Sequence, residues 1–252
     1  MEQETTAIAE DIILEGSISV KAALQAGRRE IFEILTDGRK SDRNRNYILN
    51  LARHKQIKIT ETTQETISSL AGGCSHGGIV ARVGEREYQD EEAVLSAPVP
   101  FLALLEGVED PYNFGGALRS LYAAGVTGVF VPQRNWCSAA GLVTKASAGA
   151  SEFVDIVAVS QWDEVLTKAK ERGIRILCAT RKDAKSVYES DLTGPILLVF
   201  GGEMRGISSK IMKYSDGNLF LPYGNDFRNA LSANSAAAVF SFEAFRQRSR
   251  EK

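Results

Sequence analysis

Short apolar runs alternate with segments of helical spacing through most of this chain of 252 residues. Two of the runs, Leu102–Leu105 and Ile196–Phe200, are apolar at every position, as in strands that are buried on both faces. Strands that alternate with helices predict an α/β fold with a mostly parallel sheet. Ligands of such sheets bind at the carboxyl ends of the strands. The loops after the strands predicted at 102–105, 175–179, 196–200 and 219–221 are therefore the places to search for a site.

The alternation is interrupted at residues 84–99, which are acidic and polar and end near Pro98 and Pro100. This composition predicts a linker, with room for a short helix. The chain then divides into a small α/β domain over residues 1–83 and a larger one over residues 100–252.

Composition excludes several classes of protein. Hydrophobic residues make up 44% and charged residues 25%, as in globular domains, and the net charge of −2 gives no global basic field. Three distant cysteines, Cys74, Cys137 and Cys178, cannot build a disulfide framework and suit a reducing compartment. No run approaches the ~18 apolar residues of a membrane span, and the N-terminus is acidic, unlike a signal peptide. A cytoplasmic protein is expected.

Common catalytic signatures are absent from the sequence. The two histidines, His54 and His76, cannot form a His-rich metal site, and without a CxxC pair a zinc site has no basis. Dinucleotide, P-loop and G-x-S-x-G fingerprints are also lacking. Cys74 and His76 would point apart on a strand, which disfavours a Cys–His pair.

The loop after the strand at 102–105 combines turn formers with a cation. Residues 110–116 read DPYNFGG, and a helix is predicted from about Gly116 to Ala124. Arg119 lies in this helix, and its rigid fork of donors suits a phosphate. An ordinary loop with a surface arginine is the alternative.

The other two loops carry further glycines. The strand at 196–200 runs into Gly201, Gly202 and Glu203, which expose backbone groups at a strand end. After the strand at 219–221 come Pro222 and a polar loop, and then a helix predicted over 232–248. A tight turn and a closely packed helix are the alternatives for these two segments.

Taken together, these motifs resemble the SpoU/TrmH-type RNA 2′-O-ribose methyltransferases of the SPOUT class, over residues 101–245. The segment TKASAGA at 144–150 also matches. Residues 10–83 resemble the L30e-like substrate-binding domain of these enzymes, through Gly16, the stretch 22–31 and residues 76–80. The motifs of the larger domain are Asp110-Pro111, Asn113-x-Gly115-x-x-x-Arg119, Gly201-Gly202-Glu203-x-x-Gly206, and Leu221-Pro222 through Leu231 to Glu243.

The resemblance implies methyl transfer from S-adenosylmethionine to a ribose 2′-oxygen, without a metal. It also implies a homodimer and a C-terminal trefoil knot, which sequence reasoning alone would not propose. The implied cofactor-binding residues are Thr180, Gly201, Gly202, Leu221 and Leu231. The implied catalytic residues are Arg119, Asn113, Glu203, Asn234 and Ser232.

Arg119 stays protonated in proteins, so we expect it to position the ribose and stabilise negative charge rather than to remove a proton. The third motif departs from the family pattern Ser-Leu-Asn-Val-Ser, because Ser232 stands where Asn is usual and Asn234 where Ser is usual. Either Asn234 takes over the hydrogen bonding, or the register shifts through Asn229.

A local basic stretch lies at residues 28–58, where nine basic and four acidic residues give a net charge of +5. Such a stretch predicts contacts with RNA phosphates, although a solvated helix face is the alternative. Because an L30e-like domain resembles a ribosomal-protein module, rRNA is expected as substrate over tRNA. The predicted RNA-binding residues are Arg28, Arg29, Arg39, Lys40, Arg43 and Arg45.

Three other functions remain open at this point. They are a tRNA 2′-O-methyltransferase, an RNA-binding module of the same fold with reduced catalysis, and a small-molecule enzyme unrelated to RNA. Binding of S-adenosylmethionine would separate the enzyme from the binding module.

Overall fold

The computed structural model describes residues 12–38, 42–71, 73–133 and 139–249. They form two compact units. The first takes in the described residues up to Glu87 together with residues 139–145, and the second takes in residues 88–133 and 146–249.

The first unit has a mixed four-stranded sheet of order β1-β4-β2-β3. Strands β2 and β3 are parallel, whereas β4 is antiparallel to both β1 and β2. Its core contains Leu14, Leu24 and Ile48. The elements are β1 (Ile12–Glu15), α1 (Gly16–Ala26), β2 (Ile31–Thr36), α2 (Arg43–His54), β3 (Lys58–Glu61), α3 (Gln64–Ala71) and β4 (Ile79–Val83).

The second unit has a seven-stranded sheet of order β7-β6-β5-β10-β8-β11-β9, in which every strand pair is parallel. The predicted α/β class with a parallel sheet is thus confirmed. The elements are α4 (Glu91–Leu95), β5 (Phe101–Glu106), α5 (Pro111–Ala123), β6 (Gly128–Pro132), α6 (Ala140–Ala146), α7 (Ala150–Phe153), β7 (Ile156–Val159), α8 (Trp162–Glu171), β8 (Arg175–Ala179), β9 (Lys185–Ser186), β10 (Ile196–Gly201), α9 (Ser209–Met212), β11 (Gly217–Phe220) and α10 (Ala233–Arg248). Helix α6, up to Lys145, belongs to the first unit.

Helix α5 begins at Pro111, about one turn before the predicted start near Gly116. The Asp110 carboxylate accepts a hydrogen bond of 2.8 Å from the Asn113 N–H, and so caps the helix. Pro111 occupies the first turn, where its missing N–H would have had no partner. The turn formers of the sequence are therefore the cap and first turn of a helix, and Arg119 lies in its third turn.

Residues 84–99 are more than a linker. Helix α4 lies within them, and its Val94 and Leu95 are buried in the core of the second unit. The outer side of α4 carries the acidic residues, of which Glu92 forms an ion pair with Arg172, directly after α8. The acidic composition hid two core residues, because a five-residue helix is too short to show a periodic pattern.

The centre of the second sheet places two predicted motifs side by side. In the β5–β10 pair Leu104 is opposite Val199, and Glu106 is opposite Gly201. Both strands are buried through their length and end at the same edge of the sheet. The loop that begins α5 and the Gly201–Gly202 turn consequently start from neighbouring positions. Within the described ranges, no helix is long and apolar enough to cross a membrane.

Candidate active site

The backbones after β5 and β10 approach each other closely at Gly107 and Gly202. A Cβ atom built on Gly202 would lie 1.9 Å from the carbonyl oxygen of Gly107, so only glycine fits there. The carbonyl oxygen of Gly202 accepts a hydrogen bond of 2.9 Å from the Gly206 N–H. This bond closes a turn over residues 202–206, and the turn exposes Glu203.

Glu203 joins the second motif to the first. Its Oε1 accepts a hydrogen bond of 2.5 Å from Nδ2 of Asn113. Asn113 is itself fixed in the first turn of α5, where Asp110 caps the helix. Two side chains that are 90 positions apart in the sequence are thus held together.

Asn234 of α10 contacts α5 at Gly116, close to Arg119 in the sequence of α5. A Cβ atom built on Gly116 would lie 2.5 Å from Nδ2 of Asn234, so the Asn234 side chain rests directly on α5. Arg119 is three residues further along α5 and is exposed. In the part of the chain that the structure describes, Arg119 forms neither a hydrogen bond nor an ion pair. Its guanidinium group is therefore available to a ligand.

Ser232 is the N-cap of α10. Its Oγ accepts a hydrogen bond of 3.3 Å from the Ser235 N–H and lies 3.1 Å from the Ser235 hydroxyl. The exchange in the third motif thus separates two tasks: Ser232 begins the helix, and Asn234 faces α5 at Gly116.

A cavity of about 350 Å³ opens at the carboxyl ends of β8, β10 and β11. Its volume is within the range of small-molecule sites. Glu203 also lines it, so the cavity continues to the contact with Asn113. The five predicted cofactor-binding residues all line the cavity: Thr180, Gly201, Gly202, Leu221 and Leu231.

Arg181 also lines this cavity and was not among the residues predicted from the sequence. Its guanidinium group donates hydrogen bonds to the carbonyl oxygens of Arg228 at 2.9 Å and Asn229 at 3.1 Å, and lies 4.5 Å from the centre of the Tyr223 ring. The only signal in the sequence is its position directly after Thr180, at the end of a predicted strand. A lone arginine at a strand end carries no motif that could have singled it out.

Two predicted RNA-binding arginines are not available to RNA, which corrects the sequence prediction. Arg45 is buried and donates hydrogen bonds to Asp37 at 2.9 Å and to the carbonyl oxygen of Gly77 at 2.6 Å. Arg29 is buried and donates to the carbonyl oxygen of Gly84 at 3.1 Å. Charged groups are buried only when they are paired, and these two guanidinium groups stabilise the first unit.

The other predicted RNA-binding residues differ in exposure, and two of them are not described. Arg43 is exposed at the start of α2, and Arg28 is partly exposed. Arg39 and Lys40 lie outside the described residues. Arg53, from the same basic stretch, is exposed in the last turn of α2.

Cys178 and His76 are both buried. Burial raises the pKa of the Cys178 thiol, which makes it a poor nucleophile at neutral pH. His76 is buried, accepts a hydrogen bond of 3.0 Å from the Gly78 N–H, and lies 2.9 Å from the Ser68 hydroxyl. Among the described residues, no group of three or more His, Cys, Asp or Glu could hold a metal ion.

Two family models match the chain. The model of the SpoU rRNA methylase family matches residues 100–242, and that of the RNA 2′-O ribose methyltransferase substrate-binding domain matches residues 13–89. The chain belongs to the SpoU rRNA methylase family.

Relatives with assigned names match almost end to end. The 23S rRNA (guanosine-2′-O-)-methyltransferase RlmB of Pectobacterium atrosepticum is 31% identical over 240 residues, which cover 94% of this chain and 98% of the relative. The RlmB protein of Shewanella oneidensis is 30% identical over 244 residues, which cover 95% and 98%.

Solved structures share the fold at lower identity. The AdoMet complex of the SpoU methyltransferase AviRb from Streptomyces viridochromogenes has a TM-score of 0.78 at 21% identity, and covers 98% of this chain and 94% of its own. The AdoMet-bound rRNA methyltransferase from Sinorhizobium meliloti has a TM-score of 0.79 at 17% identity, with 98% and 97% covered.

We predict that Gly202→Ala lowers the free energy of unfolding by about 1–3 kcal/mol, because the added methyl group meets a backbone carbonyl that cannot move aside. Urea unfolding would measure the change. Gly224→Ala is the matched control, since a Cβ atom there would meet nothing within 4 Å. Equal unfolding midpoints for the two variants would contradict the close approach of Gly202 to Gly107.

Proposed function

We propose that the protein transfers a methyl group from S-adenosylmethionine to a ribose 2′-hydroxyl of ribosomal RNA. The observation that carries this proposal is the position of Glu203, which lines the cavity and also holds Asn113 of the Arg119 helix. Methyl donor and ribose would therefore meet beside one turn of the chain. The relatives named as 23S rRNA (guanosine-2′-O-)-methyltransferases support the reaction and the class of substrate.

The cavity suits S-adenosylmethionine in size and lining. Its walls combine backbone groups at the strand ends with apolar side chains such as Leu219 and Leu221. The apolar side chains suit the face of an adenine ring, and the backbone groups suit its hydrogen-bonding edge. When bound, the cofactor supplies a methyl group on a sulfonium, which is already a good leaving group. The proposed reaction therefore calls for no metal ion.

We propose that Arg119 stabilises the negative charge that develops on the ribose 2′-oxygen and contacts the adjacent phosphate. A guanidinium group with no partner among the described residues can do both without breaking an existing bond. Asn113 and Glu203 would hold α5 at the cavity, and Asn234 would fix the other side of α5. Ser232 would act through the start of α10 rather than through the reacting groups.

We predict that Arg119→Ala abolishes methyl transfer to rRNA while S-adenosylmethionine still binds, because Arg119 does not line the cofactor cavity. Labelled methyl transfer to rRNA and tRNA pools, followed by nuclease digestion, would measure the product, and calorimetry would measure binding. Arg119→Lys tests whether charge without the fork of donors suffices.

Activity retained in Arg119→Ala would overturn the role proposed for Arg119 in methyl transfer. Label on tRNA alone would overturn the choice of rRNA, and wild-type protein without cofactor binding would favour the binding-module alternative.

We also propose that the two domains predicted from the sequence have different functions. Residues 1–83 would bind RNA and residues 100–252 would carry the reaction, in keeping with the two family models. Within the first unit, Arg43 and Arg53 on α2 would contact phosphates, because both are exposed. Arg28, which is partly exposed, would extend this surface, and Arg39 and Lys40 stay predicted RNA-binding residues outside the described ranges.

We predict that Arg43→Ala combined with Arg53→Ala raises the KM for RNA several-fold and leaves S-adenosylmethionine affinity unchanged. The slope of log affinity against log salt should fall by about 1 for each phosphate group that the variant no longer neutralises. Filter binding at several salt concentrations would measure it. Lys210→Ala, which removes an exposed cation from the second unit, is the control. An unchanged slope in the double variant would rule out this surface.

We infer that the protein is a homodimer and that α10 contributes to the interface. Val239, Phe242 and Phe245 are 36%, 46% and 47% exposed and recur along one side of this helix. A second copy, as the family resemblance implies, would cover them. A cytoplasmic location and the trefoil knot remain predictions.

We predict that Phe242→Glu shifts the protein from dimer to monomer, because it places a charge in an apolar interface. Analytical ultracentrifugation would measure the mass. Phe32→Glu is the matched control, since Phe32 is 42% exposed on the first unit and should leave the mass unchanged. A Phe242→Glu protein that stays dimeric would contradict the assignment of α10.

A further inference from the structure

One wall of the cavity is a loop whose conformation is held mainly by the side chain of Arg181. The loop covers residues 223–231, between β11 and α10, and none of these residues belongs to a helix or strand. Tyr223, Arg228, Ala230 and Leu231 line the cavity from it. Eight of its nine members, 224–231, are exposed, so packing contributes little to its conformation.

Arg181 contacts this loop at its middle and at its start. The guanidinium group donates to three consecutive carbonyl oxygens, those of Phe227 at 3.4 Å, Arg228 at 2.9 Å and Asn229 at 3.1 Å. It also stacks over the Tyr223 ring at 4.5 Å. Hydrogen bonds from a charged donor are stronger than neutral ones, and three of them fix the path of the backbone here.

Tyr223 connects Arg181 to the end of the loop. Its hydroxyl oxygen accepts a hydrogen bond of 3.2 Å from the N–H of Leu231. Leu231 lines the cavity, and Ser232 then begins α10. The end of β8 thus reaches the start of α10 through two side chains, Arg181 and Tyr223.

We propose that Arg181 is a positioning residue for S-adenosylmethionine binding, which holds the 223–231 loop in its binding conformation before the cofactor arrives. The inference rests on the proposed function, because it takes the cavity as the cofactor site. Ordering a loop costs conformational entropy, and a loop that is already ordered does not add this cost to binding. The fork of donors matters as well as the charge, because a lysine ammonium cannot span three carbonyl oxygens in one plane.

We predict that Arg181→Ala weakens S-adenosylmethionine binding about tenfold, which corresponds to about 1.4 kcal/mol. Arg181→Lys should fall between this variant and the wild type. Tyr223→Phe removes only the acceptor for Leu231 and should weaken binding two- to threefold. Lys182→Ala is the matched control, because among the described residues Lys182 makes a hydrogen bond only through its backbone carbonyl, which accepts from Asn218, and we expect no change. Calorimetry with the full-length protein would measure all five dissociation constants.

Two further readouts separate positioning from catalysis and from general destabilisation. In Arg181→Ala the KM for S-adenosylmethionine should rise, while kcat at saturating cofactor and the KM for RNA change less than twofold. Hydrogen exchange of peptides covering 223–231 should become faster, while the unfolding midpoint stays near that of the wild type.

Each outcome supports or overturns the proposal. Wild-type affinity in Arg181→Ala, or a fall in kcat without a change in affinity, would overturn it and leave the proposed function intact. Wild-type protein that does not bind S-adenosylmethionine would overturn the proposed function itself. If Arg181→Ala failed to fold, Arg181→Lys and Tyr223→Phe would decide the question, and wild-type affinity in both would reject the role of Arg181.

Discussion

The close approach of two backbones at Gly107 and Gly202 is the constraint on which the rest of the site depends. With 1.9 Å between a hypothetical Cβ atom of Gly202 and the Gly107 oxygen, the chain after β10 can take this path only as glycine. The turn over 202–206 follows from that path, and it places Glu203 where Asn113 can donate to it. The Arg119 helix is thereby tied to the edge of the cavity.

Because the sheet is parallel, the loops after its central strands lie at one edge and contribute different parts of the site. The ends of β5 and β10 provide the helix cap, the glycine turn and the Asn113–Glu203 contact, while the ends of β8, β10 and β11 provide the walls of the cavity. Rigid strands buried on both faces hold these loops in register. Under the proposed function, exposed side chains such as Arg119 would carry the chemistry, while the buried strands stabilise the sheet.

Much of the architecture was accessible from the sequence, because most of its strands are continuous apolar runs and its helices have apolar periodicity. Two of the shortest elements escaped. Helix α7 and strand β9 have four residues or fewer, below the length at which a period can be recognised. The start of α5 was placed too late, because Asp110, Pro111 and Asn113 form turns and helix caps with equal ease.

The sequence was enough to predict the parallel α/β class, the family and the five cofactor-binding residues that line the cavity, since strand ends and glycine motifs are local signals. Which charged groups are free depends on the folded structure. Arg45 and Arg29 are held by buried partners, Arg181 fastens the 223–231 loop, and Arg119 has no partner among the described residues. The sequence does not show the partners of these four arginines, because the partner of a charge is set by distant segments that the fold brings together.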